Sequence, residues 1–264
     1  MLASYPITLS TLRSQRRSFT LWSIAFAGVV TMYAGLYPFI ENMDMLAMAE
    51  KLPAGLSQAL GYDQIGTPAG YVSSSVFGLL GPALLAIFGI SLGARLIAGE
   101  EEEGTLELEL TGPSSRSQIY GQRFIALTAS LAGLVFVGFV TLALVAAVAG
   151  LEIGTGRMAL MCVALWLFTL AMSSVAFAVG AATGRRSVGM ICAAVLVVVS
   201  FMCNAVGPTI GQDWMSMVSP WSWYISDSPL LGRANFASMG LLATLGLVAA
   251  AAGVVPFTKR DLMV

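Results

Sequence analysis

Six glutamates crowd into ten positions of this chain: Glu100, Glu101, Glu102, Glu103, Glu107 and Glu109. On a helix, Leu106 and Leu110 share one face and Glu103 and Glu107 share another. Histidine, the commonest general base and transition-metal ligand, is absent, so no catalytic residue and no metal site are expected. A solvated face is the ordinary reading of such a charge run. An apolar stripe beside a concentrated acidic one is also what a docking helix for a basic groove needs. Residues 105–110 alternate strictly and would suit a short strand, but a lone strand leaves both edges open, so helix is preferred.

Other chemistries are excluded by what is missing. A phosphate-binding P-loop needs a Gly-Lys-[Ser/Thr] step, yet Lys51 follows Glu50 and Lys259 follows Thr258. Cys162, Cys192 and Cys203 lie in apolar runs without C-x-x-C spacing and read as small buried hydrophobes. Ser73, Ser74, Ser75, Ser173 and Ser174 have no base to activate them and read as packing hydroxyls. A net charge of −1 argues against nucleic acid as a partner.

The elements that hold these residues follow from composition. Of 264 residues, 57% are hydrophobic and only 10% charged, against about 25% charged in an average soluble domain. The apolar residues form runs of twenty or more, so most of this chain is solvated by lipid. Six helical spans are predicted, at about 19–40, 71–97, 119–149, 158–183, 188–210 and 236–257, in a single all-α polytopic domain covering 1–264. A transmembrane barrel would need alternating ten-residue strands, whereas 192–202 is apolar on both faces. No ionisable residue sits near the middle of a span, which weakens a proton- or ion-coupled carrier, although carbonyls at broken helices can bind Na⁺.

Ten of the thirteen Lys and Arg fall at the two termini and the even-numbered connections; only Lys51, Arg157 and Arg233 fall opposite. The positive-inside rule then places both termini in the cytoplasm. No cleavable signal is read, because the first apolar run is too long.

The external connection 41–70 carries an apolar stripe at Met45, Ala49, Leu52, Leu56 and Leu60, expected to form surface helices broken near Pro53. The external connection 211–235 holds Trp214, Trp221, Trp223 and Tyr224, which suit the headgroup level or a short helix capping a cavity. In the cytoplasmic loop 98–118, Gly99 is expected to stop the second span and residues 100–103 to start a new helix, where its dipole favours carboxylates. Gly112-Pro113 ends that helix. The pairs Gly89/Gly93, Gly180/Gly184 and Gly207/Gly211 are close-packing signals.

Ile97-Ala-Gly-Glu-Glu-Glu-Glu-Gly-Thr-Leu-Glu-Leu-Glu-Leu, followed by Pro113-Ser-Ser-Arg-Ser, closely resembles the signature of ABC-2 type transporter permeases. Arg123 stands at a position where that family more often has lysine, and Glu109 where it often has an apolar residue. Leu52-Pro53, Thr67-Pro-Ala-Gly-Tyr71 and Ser219-Pro220 extend the resemblance over the whole chain.

The resemblance implies a six-span, type V exporter-like permease that pairs with a second copy or a homologous permease. It also implies a separate ABC ATPase subunit that binds ATP and Mg²⁺, this chain binding no cofactor. Residues 4–18 would form an amphipathic segment along the inner surface. Glu100, Glu101, Glu102, Glu103, Gly104, Thr105, Leu106, Glu107, Leu110 and Arg116 would form the ATPase-coupling element. Ser74 and Phe77 on the second span, with Phe201 and Asn204 on the fifth, are candidate lining residues of a path between two copies. The expected cargo is hydrophobic or amphipathic (a drug, lipid or peptide), exported across a bacterial plasma membrane. Reversal of residues 101–103 to lysine is expected to leave folding intact and abolish stimulated ATPase activity. The rivals are an ATP-independent secondary carrier and a non-transporting membrane scaffold.

Overall fold

A computed structural model describes residues 6–40, 65–104, 115–225 and 228–260. Six helices in it are long and apolar enough to cross a membrane, and the described residues contain no strand. A short helix α1 (Pro6–Ser14) leads into the first long one, α2 (Arg16–Ile40). The remaining five are α3 (Pro68–Glu102), α4 (Arg116–Ala149), α5 (Thr155–Thr183), α6 (Arg186–Val206) and α9 (Phe236–Lys259). Between α6 and α9 lie two one-and-a-half-turn helices, α7 (Asp213–Val218) and α8 (Pro220–Ile225).

The helix starts follow local chemistry. Thr67 caps α3 through a 3.0 Å bond from the Gly70 N–H, with Pro68 in the first turn where its missing donor costs nothing. Ser115 opens α4 with a reciprocal box: its hydroxyl accepts from Gln118 N–H, and the Gln118 side chain accepts from Ser115 N–H. Asn235 caps α9 by accepting from the N–H groups of Ala237 and Ser238.

The core gathers around α5, which packs against α3, α4, α6 and α9. Close approach of α3 depends on glycine. A Cβ at Gly93 would sit 2.6 Å from the Ser173 carbonyl oxygen, and one at Gly89 would meet the Ser173 hydroxyl. The other two glycine pairs divide their work: Gly180 packs against Ala94 and Ala98, whereas Gly184 and Gly211 end their helical segments at positive φ. Thr169, Ser173 and Ser174 are fully buried and return their hydroxyls to carbonyls one turn back, consistent with packing roles.

Two expectations change. The second span does not stop at Gly99: the helix continues to Glu102, and the chain turns at Gly104, φ +70°. Glycine within a helix is tolerated where close packing repays it, and Gly99 lies against the stems of Arg95 and Arg186. The aromatic connection is also not a uniform headgroup belt. Trp214 is exposed, but Trp221 and Tyr224 are buried against Phe168 at ring separations of 5.3 and 5.2 Å. The stripe expected in 41–64 lies outside the described residues.

Candidate functional site

The glutamates end α3 instead of opening a helix, so its dipole opposes their charge, a penalty of about 0.3–1 kcal/mol for each exposed carboxylate. Cations and N–H groups from three other helices offset it. Glu100 receives the Arg123 guanidinium of α4, and Glu101 that of Arg260, just past the end of α9. Glu102 accepts a 2.9 Å bond from the backbone N–H of Arg186, the first residue of α6. Three successive carboxylates therefore tie one helix end to three separate helices.

Arg123 is the anchor. It has no exposure, and a buried charge is stable only when paired and hydrogen-bonded. One nitrogen of its fork donates to Glu100 and another to the Leu96 carbonyl. That carbonyl belongs to a π-helical stretch, Arg95–Gly99, in which the wider winding turns carbonyls away from the regular ladder. A second π stretch, Ser73–Leu80, behaves alike: its Phe77 carbonyl accepts a 2.8 Å bond from the Tyr224 hydroxyl. Both irregular stretches of α3 thus give a backbone acceptor to a side chain of another element.

Arg116 sits at the first position of α4 and donates to the Arg260 carbonyl at 2.7 Å, closing the ring between α4 and α9. Glu103 and Gly104 are exposed beyond it. Thr105, Leu106, Glu107 and Leu110 lie outside the described residues. Sequence reasoning counted Arg186 and Arg260 only toward topology. The usable signal was the excess of carboxylates at the end of an apolar run, which demands cations from elsewhere in the fold.

The candidate path residues lie on α3 and α6, and Phe77 and Phe201 each meet a residue of α8. Ser74 bonds back to the Gly70 and Tyr71 carbonyls, and Phe77 is buried, its carbonyl accepting from the Tyr224 hydroxyl. Phe201 is half-buried edge-on to Trp221 at 5.0 Å, and Asn204 is buried on α6. The first helix is also bound down: α1 lies along α4, with Ile7 N–H and the Thr8 hydroxyl donating to the side chain and backbone carbonyl of Gln122.

No curated protein matches this sequence. The family model described as ABC-2 family transporter protein matches residues 7–262, nearly the whole chain. Six apolar helices and that match together place the chain in the ABC-2 transporter family, as a multi-pass membrane permease of an ABC transporter.

Proposed function

We propose that this permease exports a hydrophobic or amphipathic compound across a bacterial plasma membrane, driven by a separate ABC ATPase that docks at the glutamate-rich end of α3. The observation that carries the reading is the three-way anchoring of Glu100, Glu101 and Glu102 to α4, α9 and α6. A push on this end reaches four helices at once. With ten basic residues marking the same side, the termini and the docking end face the cytoplasm.

The permease works as a pair. Along α6, Ile191, Val195, Val198 and Met202 recur at helical spacing and are exposed, an apolar stripe suited to a second copy. Ser74, Phe77 and Asn204 are enclosed within the single chain, so a path between copies reaches them when α3 and α6 part.

Charge reversal tests the coupling role, with a distinction that the fold supplies. Glu103 is exposed and Glu101 is buried on Arg260. Glu103→Lys should leave the melting temperature unchanged and reduce substrate-stimulated ATPase activity of the reconstituted complex several-fold. Glu101→Lys should instead destabilise the permease, because it sets two cations together; the expectation that residues 101–103 reverse without structural cost is corrected accordingly. Full stimulation in Glu103→Lys and in Glu102→Lys, another exposed glutamate, would remove the coupling assignment.

A further inference from the structure

Beside the glutamate cluster lies a cleft of about 130 Å³, which shares with the anchoring only Arg186, whose backbone N–H bonds Glu102. It is walled by Gln15 between α1 and α2, by Ser18 and Trp22 at the start of α2, by Phe88, Ser91, Leu92 and Arg95 on α3, and by Arg186 on α6. Polar and apolar groups are sorted along it. Trp22 and Phe88 pack ring to ring at 5.8 Å at one end. Arg95 lies seven residues beyond Phe88 on the same helix, about 10 Å along the axis. The two arginines converge: their stems pass 3.0 and 3.7 Å from where a side chain on Gly99 would begin.

Among the described residues, no carboxylate pairs with the Arg95 or Arg186 guanidinium. Glu102 accepts from the Arg186 backbone N–H, and no bond from the Arg186 side chain to it is found. The Arg186 Nε is buried without a hydrogen-bond partner. That nitrogen lacks an acceptor, Arg186 is otherwise half-buried and Arg95 is exposed, and a tetrahedral oxyanion matches a guanidinium fork. Arg16 and Arg17 stand between the lining residues Gln15 and Ser18 in the chain and add positive charge nearby.

We propose that this cleft binds the phosphate headgroup of an anionic phospholipid from the leaflet at this end of the bundle. Arg95 and Arg186 take the phosphate oxygens, Ser18, Ser91 and Gln15 bond the glycerol, and Trp22 and Phe88 meet the upper acyl carbons. Lipid is favoured over soluble phosphate by the aromatic end and by the neighbouring surface, where Leu21 and Ile24 on α2 and Ile87 on α3 are exposed. The site goes beyond the transport reading and does not depend on it, since binding needs neither ATPase nor cargo.

The test is native mass spectrometry of the detergent-purified permease titrated with phosphatidylglycerol, phosphatidylcholine or glycerol 3-phosphate. One phosphatidylglycerol should bind at least about tenfold more tightly than phosphatidylcholine, given the strength of charge-assisted bonds. Arg95→Gln/Arg186→Gln should abolish that preference, and Arg185→Gln, outside the cleft lining, should keep it. An unchanged preference in the folded double variant overturns the proposal. Equal competition by glycerol 3-phosphate overturns the lipid assignment in favour of a soluble-phosphate site. A photoactivatable phosphatidylglycerol on the unaltered protein provides the check that needs no variant: labelling within residues 15–22 and 88–95 supports the site, and labelling confined elsewhere refutes it.

Discussion

Arg123 is the residue on which the glutamate cluster turns. Its guanidinium has exchanged water for a carboxylate and a backbone carbonyl, an arrangement that stands only while both acceptors are present. Arg123→Met should therefore cost about 3–5 kcal/mol, since it leaves the Glu100 carboxylate and the Leu96 carbonyl with a lost partner. Adding Glu100→Gln to Arg123→Met should recover part of that loss, and a double-mutant cycle on detergent-solubilised protein measures the coupling. Additive effects of the two substitutions would show that the pair is not the anchor. Arg260 is 20% exposed and Glu101 only 4%, against 0% and 27% for Arg123 and Glu100, so the second pair is about as enclosed and should show a coupling of similar size.

At the scale of elements, α3 is the unusual one. It is wound irregularly twice, and at each place a freed carbonyl is taken by a side chain from outside. Tyr224→Phe removes only a hydroxyl and should destabilise by about 1–3 kcal/mol, the cost of a buried carbonyl left without its donor. Between the two irregular stretches, α3 is held against α5 by the bare face of Gly93. Gly93→Val should lower stability by about 1–3 kcal/mol through overpacking against the Ser173 carbonyl. Gly240→Ala, on α9 with open space where the methyl would go, should be neutral or up to about 1 kcal/mol stabilising. Thermal unfolding of the two variants side by side separates helix contact from mere helix propensity.

At the scale of the whole molecule, the helices divide into an inner and an outer set. In their most apolar stretches α5 is 72% buried and α2 only 17%, so α5 is solvated by protein and α2 by lipid or another chain. The exposed stripe of α6 and the exposed Glu103 and Gly104 are the surfaces that the proposed function assigns to a second permease and to an ATPase. Native mass spectrometry of the complex gently extracted from its own membrane should give two permeases with two ATPase subunits, the permease masses distinguishing homo- from heterodimer. A lone 27.6 kDa chain after mild extraction would favour a carrier or a scaffold.

Span number and approximate limits were legible in the sequence because lipid demands about twenty apolar residues per crossing, a constraint that acts on each segment alone. Membership of the family was legible too, since its motif is a contiguous string ending α3 and entering α4. The contacts of α1 were not: its most buried residues are Thr8 and Thr11, whose hydroxyls are satisfied by carbonyls, so hydrophobicity carries no trace of them. Nor was the true end of α3, because Gly99 reads locally as a stop, whereas the helix runs on to Glu102, whose carboxylate is held by the first residue of α6. The partners of Glu100, Glu101 and Glu102 lie 23, 159 and 84 positions away. Pairings at such separations are decided by which helices pack together, and only the tertiary structure sets that.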